Sequence, residues 1–284
     1  MIRSLFAAAA LSLTAAPLFA ETLKFAVTDI EGLEALQQEF GAFEEKLEDL
    51  SGHEVDLFPV SSRTAAVEAL NQGKIDLVLT GPAEYVVINE LTDAQIVTAW
   101  QRPNYYAQIV TLSDSPIKSV QDLKGKIVTF GSVGSTSQHL GPAQVLADFG
   151  LAYNADYQPQ IISRNVAIEA LIRGDVQAVG MNEGHLARIR KAFPDTSFTV
   201  IARGRDLPND ILVARSSLDD DTVAAIKSAF VDHSAELMGA ILAGEDNQKY
   251  NGGFFLTKVE DSEYDYVRSM YKTIGVDTNA FVGN

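Results

Sequence analysis

Three hydroxyl residues in a row, Ser135-Thr136-Ser137, follow the glycine-containing stretch Phe130-Gly131-Ser132-Val133-Gly134 and precede Gln138-His139-Leu140. The β-branched run Lys126–Phe130 before them reads as a buried strand. The helical spacing of Pro142–Phe149 after them stops at Gly150. A strand, a turn and a helix that opens on three hydroxyls bring backbone N–H groups and side-chain donors to one point, which is what an anion needs. Serine and threonine are also ordinary helix caps, but one of them would suffice for that role.

Other chemistries find little support. There is no Gly-x-Ser-x-Gly turn, and Gly125-Lys126 is followed by Ile127 rather than Ser or Thr, so the nucleophile elbow and the phosphate loop are both missing. Ser137 and His139 are only two apart. The four histidines, His53, His139, His185 and His233, have no metal-ligand spacing. No enzymatic activity, no metal and no cofactor are expected. With 22 Lys and Arg against 38 Asp and Glu, the net charge is −16, which argues against nucleic acid as partner. An anion site in such a chain must work through local dipoles and a few arginines.

Residues 1–20 have the pattern of a cleaved secretory signal: Arg3, an apolar run from Leu5 to Ala16, and Pro17-Leu18-Phe19-Ala20 before Glu21. The run is shorter than the about 20 residues that span a bilayer. The sequence contains no cysteine, hence neither a lipid-attachment thiol nor a disulfide framework. An exported protein in a bacterial periplasm is the expectation.

The elements that must position the hydroxyls alternate. Strands are expected at Leu23–Val27, Val55–Val60, Ile75–Thr80 and Ile96–Trp100, and helices at Leu33–Leu50, Thr64–Asn71 and Ala83–Asn89. Further strands are expected at Tyr105–Thr111, Ala178–Met181, Phe198–Ala202 and Ile211–Ala214, and helices at Leu186–Phe193, Asp219–Ala243 and Asp261–Ile274. Such alternation predicts a mostly parallel sheet, with ligands beyond the C-terminal strand ends, here Thr28, Ser61-Ser62-Arg63, Thr80-Gly81-Pro82 and the hydroxyl run. An internal echo, Ser62-Arg63-Thr64-Ala65-Ala66-Val67-Glu68-Ala69-Leu70 against Ser163-Arg164-Asn165-Val166-Ala167-Ile168-Glu169-Ala170-Leu171, points to two similar α/β units, each with Ser-Arg at a helix start. Lobe 1 is expected to comprise residues 21–106 and 210–284, and lobe 2 residues 107–209.

Asp122-Leu123-Lys124-Gly125-Lys126, Ser135-Thr136-Ser137, Asn104-Tyr105-Tyr106 before Asp114-Ser115-Pro116, and Pro208-Asn209-Asp210 together resemble the periplasmic phosphonate-binding proteins of ABC importers. The resemblance covers essentially all of residues 21–284. It implies a two-lobed periplasmic binding protein of type II, each lobe a mostly parallel sheet flanked by helices. It implies a monomer that captures a phosphonate such as 2-aminoethylphosphonate and hands it to an inner-membrane permease and its ATPase. Ser135, Thr136 and Ser137 match the family's clamp on the phosphonate oxygens, Tyr105 an aromatic residue on the hinge side, and Asp210 a carboxylate that receives the ligand's amine. The sequence departs at two positions, with Arg63 where the family has tyrosine and Arg164 where it has histidine. Each guanidinium could take an oxyanion by paired hydrogen bonds, or pair with Asp210 or Glu183. Thr80 and Glu183 complete the expected site. Phosphite, phosphate or another tetrahedral oxyanion is the alternative ligand, and sensing for a membrane receptor is the alternative role.

Overall fold

The computed structural model describes residues 22–278 apart from Asp29 and Glu31; the expected signal segment lies outside them. Two sheets form, and the chain builds one, leaves it for the other, and returns. The first stretch supplies β1 (Leu23–Val27), α1 (Leu33–Ser51), β2 (Val55–Leu57), α2 (Arg63–Asn71), β3 (Leu77–Thr80), α3 (Pro82–Thr92) and β4 (Gln95–Trp100). After the crossing at residues 101–105 come β5 (Tyr106–Leu112), β6 (Ile127–Phe130), α4 (Gly141–Asp148), β7 (Gln158–Ile161), α5 (Arg164–Arg173), β8 (Ala178–Asn182), α6 (Glu183–Ala192) and β9 (Phe198–Asp206). Residues 207–209 cross back to β10 (Asp210–Ala214), α7 (Asp220–Asp232), α8 (Ser234–Ile241), β11 (Phe255–Leu256) and α9 (Asp265–Thr273).

The strand orders are β11-β4-β10-β3-β1-β2 and β7-β6-β8-β5-β9. Both sheets are mixed, which corrects the expectation of mostly parallel ones. The helix-linked strands β1, β2 and β3 pair in parallel, as do β6, β7 and β8. By contrast, β10 runs antiparallel to both β3 and β4, and β5 to both β8 and β9. Parallel neighbours need a crossover element between them. The strands that follow the two interlobe crossings, β5 and β10, are reached by a few residues with no helix, and each runs against the helix-linked strands of its sheet.

Aromatic packing closes the first lobe. Trp100 is fully buried among Phe43, Phe230, Tyr250 and Phe255, with ring centroids 5.3–5.9 Å apart. Such tilted and edge-to-face pairs add to the burial of their area. The last helix, α9, contacts both lobes. Tyr271 donates its hydroxyl to the Ala83 carbonyl of α3 at 3.1 Å, and the Thr273 hydroxyl bonds Gln144 of α4.

Local expectations failed where pairing or breaks outweighed pattern. The polar run Arg203–Asp206 continues β9 because it pairs with β5 as far as Tyr106, and Arg203 stacks 3.6 Å from the centre of the Tyr106 ring. The expected long helix from Asp219 splits at His233, whose φ of −127° is not helical. Strand β7 contains Pro159 and sits at a sheet edge, where a missing N–H is tolerated.

In β8, Gly180 lets α4 approach. A Cβ there would lie 2.5 Å from Pro142 Cβ and 2.9 Å from Phe130 Cδ1. Gly180→Ala is expected to cost roughly 1–3 kcal/mol of stability through overpacking, read from urea midpoints. A neutral result would mean that the strand–helix contact yields easily.

Candidate functional site

The residues that could bind an anion begin where β6 ends. The helical run after it opens with a wide turn over Thr136–Leu140. The Ser135 carbonyl accepts N–H bonds from both His139 and Leu140, each at 3.0 Å, and turns of this kind recur at functional sites. The turn requires Gly141, since a Cβ there would lie 2.7 Å from the Thr136 carbonyl oxygen. Ser135 holds the N-cap position with extended backbone, yet its hydroxyl makes no cap bond.

The other two hydroxyls have definite partners. Thr136 Oγ1 accepts the backbone N–H of Ala83, at the start of α3 in the other lobe, at 3.0 Å. Asn182 Nδ2 donates to Ser137 Oγ at 2.9 Å. Burial pushes the Tyr105 phenol up to about 12 with help from the Asp210 charge, outweighing the Arg102 charge, which pulls it down. Below the turn, Gly134 N–H donates to His139 Nδ1 at 3.1 Å, so the neutral ring carries its proton on Nε2, 3.0 Å from the Tyr153 hydroxyl.

Burial lowers His139 from 6.5 to about 4. Its unfolded imidazole takes up a proton below pH 6.5 while the folded one resists until about pH 4. The stability that this group contributes is therefore complete above pH 6.5 and is lost as pH falls toward 4. Urea midpoints should drop across that window, and drop less in His139→Gln. Equal pH slopes for the two proteins would refute the assignment.

The hydroxyl run faces a cleft of about 850 Å³ between the lobes. Of the residues singled out by sequence, Ser135, Thr136, Ser137, Tyr105, Arg63, Arg164, Glu183 and Asp210 all line it. Thr80 does not. Its hydroxyl lies 3.0 Å from that of Thr28, and Thr28 is the residue on the wall. Both Ser-Arg pairs of the internal echo sit at helix starts, with Ser62 and Ser163 in the N-cap positions of α2 and α5.

The charges pair otherwise than expected. Arg63 Nε forms an ion pair with the Glu84 carboxylate in the first turn of α3. Arg164 Nε donates to Gln138 Oε1 at 2.6 Å. Gln138 in turn closes over Gly131, where a Cβ would come within 2.7 Å of its side-chain oxygen. Asp210, at 4% exposure, accepts the Tyr250 hydroxyl at 2.7 Å and Arg102 Nη1 at 3.3 and 3.4 Å. The Arg102 guanidinium lies 3.8 Å from the centre of the Tyr105 ring, and the Asp210 charge holds it protonated against burial.

Glu84, Arg102, Gln138, Asn182 and Arg188 are cleft residues that sequence reasoning missed. For Arg102 a signal existed, since Arg102-Pro103-Asn104-Tyr105 occupies the crossing, and crossing residues must border the cleft. Glu84 carries no such mark, because an acid in a helix's first turn is ordinary. Among the described residues no group of His, Cys, Asp and Glu could hold a metal ion.

The sequence profile of a family described as "ABC transporter, phosphonate, periplasmic substrate-binding protein" matches residues 25–260. The chain belongs to this family. Its relatives include the phosphonates-binding periplasmic protein of Escherichia coli strain K12, 24% identical over 231 residues, which are 75% of this chain and 66% of that one. A phosphate-import protein, PhnD, of Mycolicibacterium smegmatis is 30% identical over 145 residues, 49% of this chain and 45% of its own. The chain thus spans about two thirds of the first relative and under half of the second. Among solved structures, PhnD1 from Prochlorococcus marinus MIT 9301, in complex with methylphosphonate, has the same fold with a TM-score of 0.70 at 20% identity, covering 90% of this chain and 98% of that one.

Proposed function

We propose that the protein captures one small phosphonate in the interlobe cleft, in the periplasm, and delivers it to an inner-membrane permease driven by an ATPase. The observation that carries this reading is the hydroxyl run. Ser135, Thr136 and Ser137 line the cleft, Ser135 is not used as a cap for its own helix, and basic residues stand on both walls. Family membership and the absence of any nucleophile–base pair at the hydroxyls support binding without turnover.

The finer question is the ligand's other end. The amine of 2-aminoethylphosphonate would reach Asp210 only by sharing it with Arg102, and Glu183 is a second carboxylate on the cleft wall. Calorimetric titration of residues 21–284, stripped of ligand by unfolding and refolding, should show saturable binding of 2-aminoethylphosphonate or methylphosphonate with a stoichiometry of one. Tighter binding of phosphite or phosphate would move the assignment to those ions. No heat with any of the four would reject it.

A further inference from the structure

The lobe 1 wall opposite the hydroxyl run carries a feature that an anion site does not need. The carboxylate of Glu84 is buried, 7% exposed, at the edge of the cleft. It lies against Gly81: a Cβ there would stand 2.7 Å from Glu84 Oε2 and 3.8 Å from Thr136 Oγ1. The neighbouring residue, Ala83, donates its N–H to that same Thr136 oxygen. Glu84 therefore borders the place where an oxyanion held by Thr136 would sit.

A carboxylate beside a fully ionised oxyanion sets lone pairs against lone pairs and repels it. Beside an oxygen that keeps its hydrogen, it accepts a strong charge-assisted bond. Resting on the reading of the cleft as a phosphonate site, we propose that Glu84 is its specificity-determining residue. It accepts the P–OH hydrogen of a monoanionic phosphonate, and it excludes sulfonates, which have the same shape but no hydrogen to give.

The charged and titratable groups facing Glu84 do not blur this. Arg63, from α2, stays charged. Tyr105, from the crossing, is held up to about 12, and burial also raises Tyr271, from α9. His139, on the hydroxyl-bearing helix, turns away to Gly134 and Tyr153 and stays neutral above about pH 4. Alkylphosphonates lose their second proton in the neutral range, as phosphate monoesters do at about pH 6.

The test is calorimetry of methylphosphonate and methanesulfonate at pH 6 and pH 8.5, on the wild type and on Glu84→Gln, whose amide can donate to an ionised oxygen. The wild type should bind methylphosphonate about tenfold tighter at pH 6 than at pH 8.5, and methanesulfonate about a hundredfold more weakly than methylphosphonate at pH 6. Glu84→Gln should lose most of both differences. Wild-type affinity that is flat with pH, or equal for the two ligands, overturns the role of Glu84 while leaving phosphonate binding intact; this arm needs no variant to fold. Discrimination that persists in Glu84→Gln overturns it too. Failure of the wild type to bind methylphosphonate at either pH removes the functional reading and this inference with it.

Discussion

Arg102→Ala is expected to lower the unfolding free energy by about 3–5 kcal/mol, the range for stripping one partner from a buried ion pair. The Asp210 side chain is only 6% exposed and that of Arg102 17%, so solvent does little to replace the lost charge. Tyr250 would still donate its hydroxyl to Asp210, but a neutral donor does not balance the charge. The pair also has a mechanical place. Asp210 opens β10 opposite Trp100, the last residue of β4, and Arg102 lies two residues past Trp100 in the crossing. Its loss thus loosens the point where the two lobes join. Urea unfolding of Arg102→Ala, Asp210→Asn and the double replacement Arg102→Met with Asp210→Leu gives the check. The double variant should recover much of the loss, since well-packed apolar residues often substitute for a buried pair without penalty. A loss below about 1 kcal/mol for Arg102→Ala would put the pair in the class of surface ion pairs.

Thr136→Ala should weaken ligand binding about ten- to hundredfold, the loss of one hydroxyl bonded to a charged group at about 1.5–3 kcal/mol. It should also cost about 1 kcal/mol of stability, for a reason the sequence did not show. The Thr136 oxygen accepts an N–H at the start of α3, and so acts as the cap of a helix in the opposite lobe. The oxygen takes Ala83 while the hydroxyl hydrogen remains to be given to a ligand. Thr136→Ser keeps both groups and should keep both properties. Affinity unchanged in Thr136→Ala would mean that the residue serves the lobe contact alone.

The hydroxyl run and the two Ser-Arg pairs were legible in the sequence because each follows a strand end, and strand ends in such sheets converge on the cleft; Tyr105 and Asp210 came from the family resemblance, and both border a crossing. Thr80 shows the limit of that rule. It ends a strand as expected, but Thr28 from the adjacent strand stands in front of it, and strand-to-strand depth leaves no mark in composition. The partners of the charges were hidden for a similar reason. Arg63 and Glu84 are 21 positions apart and meet only because α2 and α3 pack side by side; Arg102 and Asp210 meet only because the chain crosses twice. Periodicity placed most of the helices. It did not foresee β9 running through Arg203–Asp206, since an arginine stacked on Tyr106 satisfies pairing without an apolar pattern.

The order of strands in the first sheet has a consequence for how the molecule comes into being. β10 lies between β3 and β4, yet more than a hundred residues separate it from β4 along the chain. Until it arrives, β3 and β4 each present an open edge able to pair with the wrong strand. The second sheet has no such dependence, because all its strands lie between Tyr106 and Asp206. A chain emerging from its N-terminus therefore completes the inserted lobe first and holds the first lobe unfinished until β10 docks. A fragment ending near Tyr105 would keep those two edges open for good, and it should aggregate where residues 105–208 expressed alone would fold.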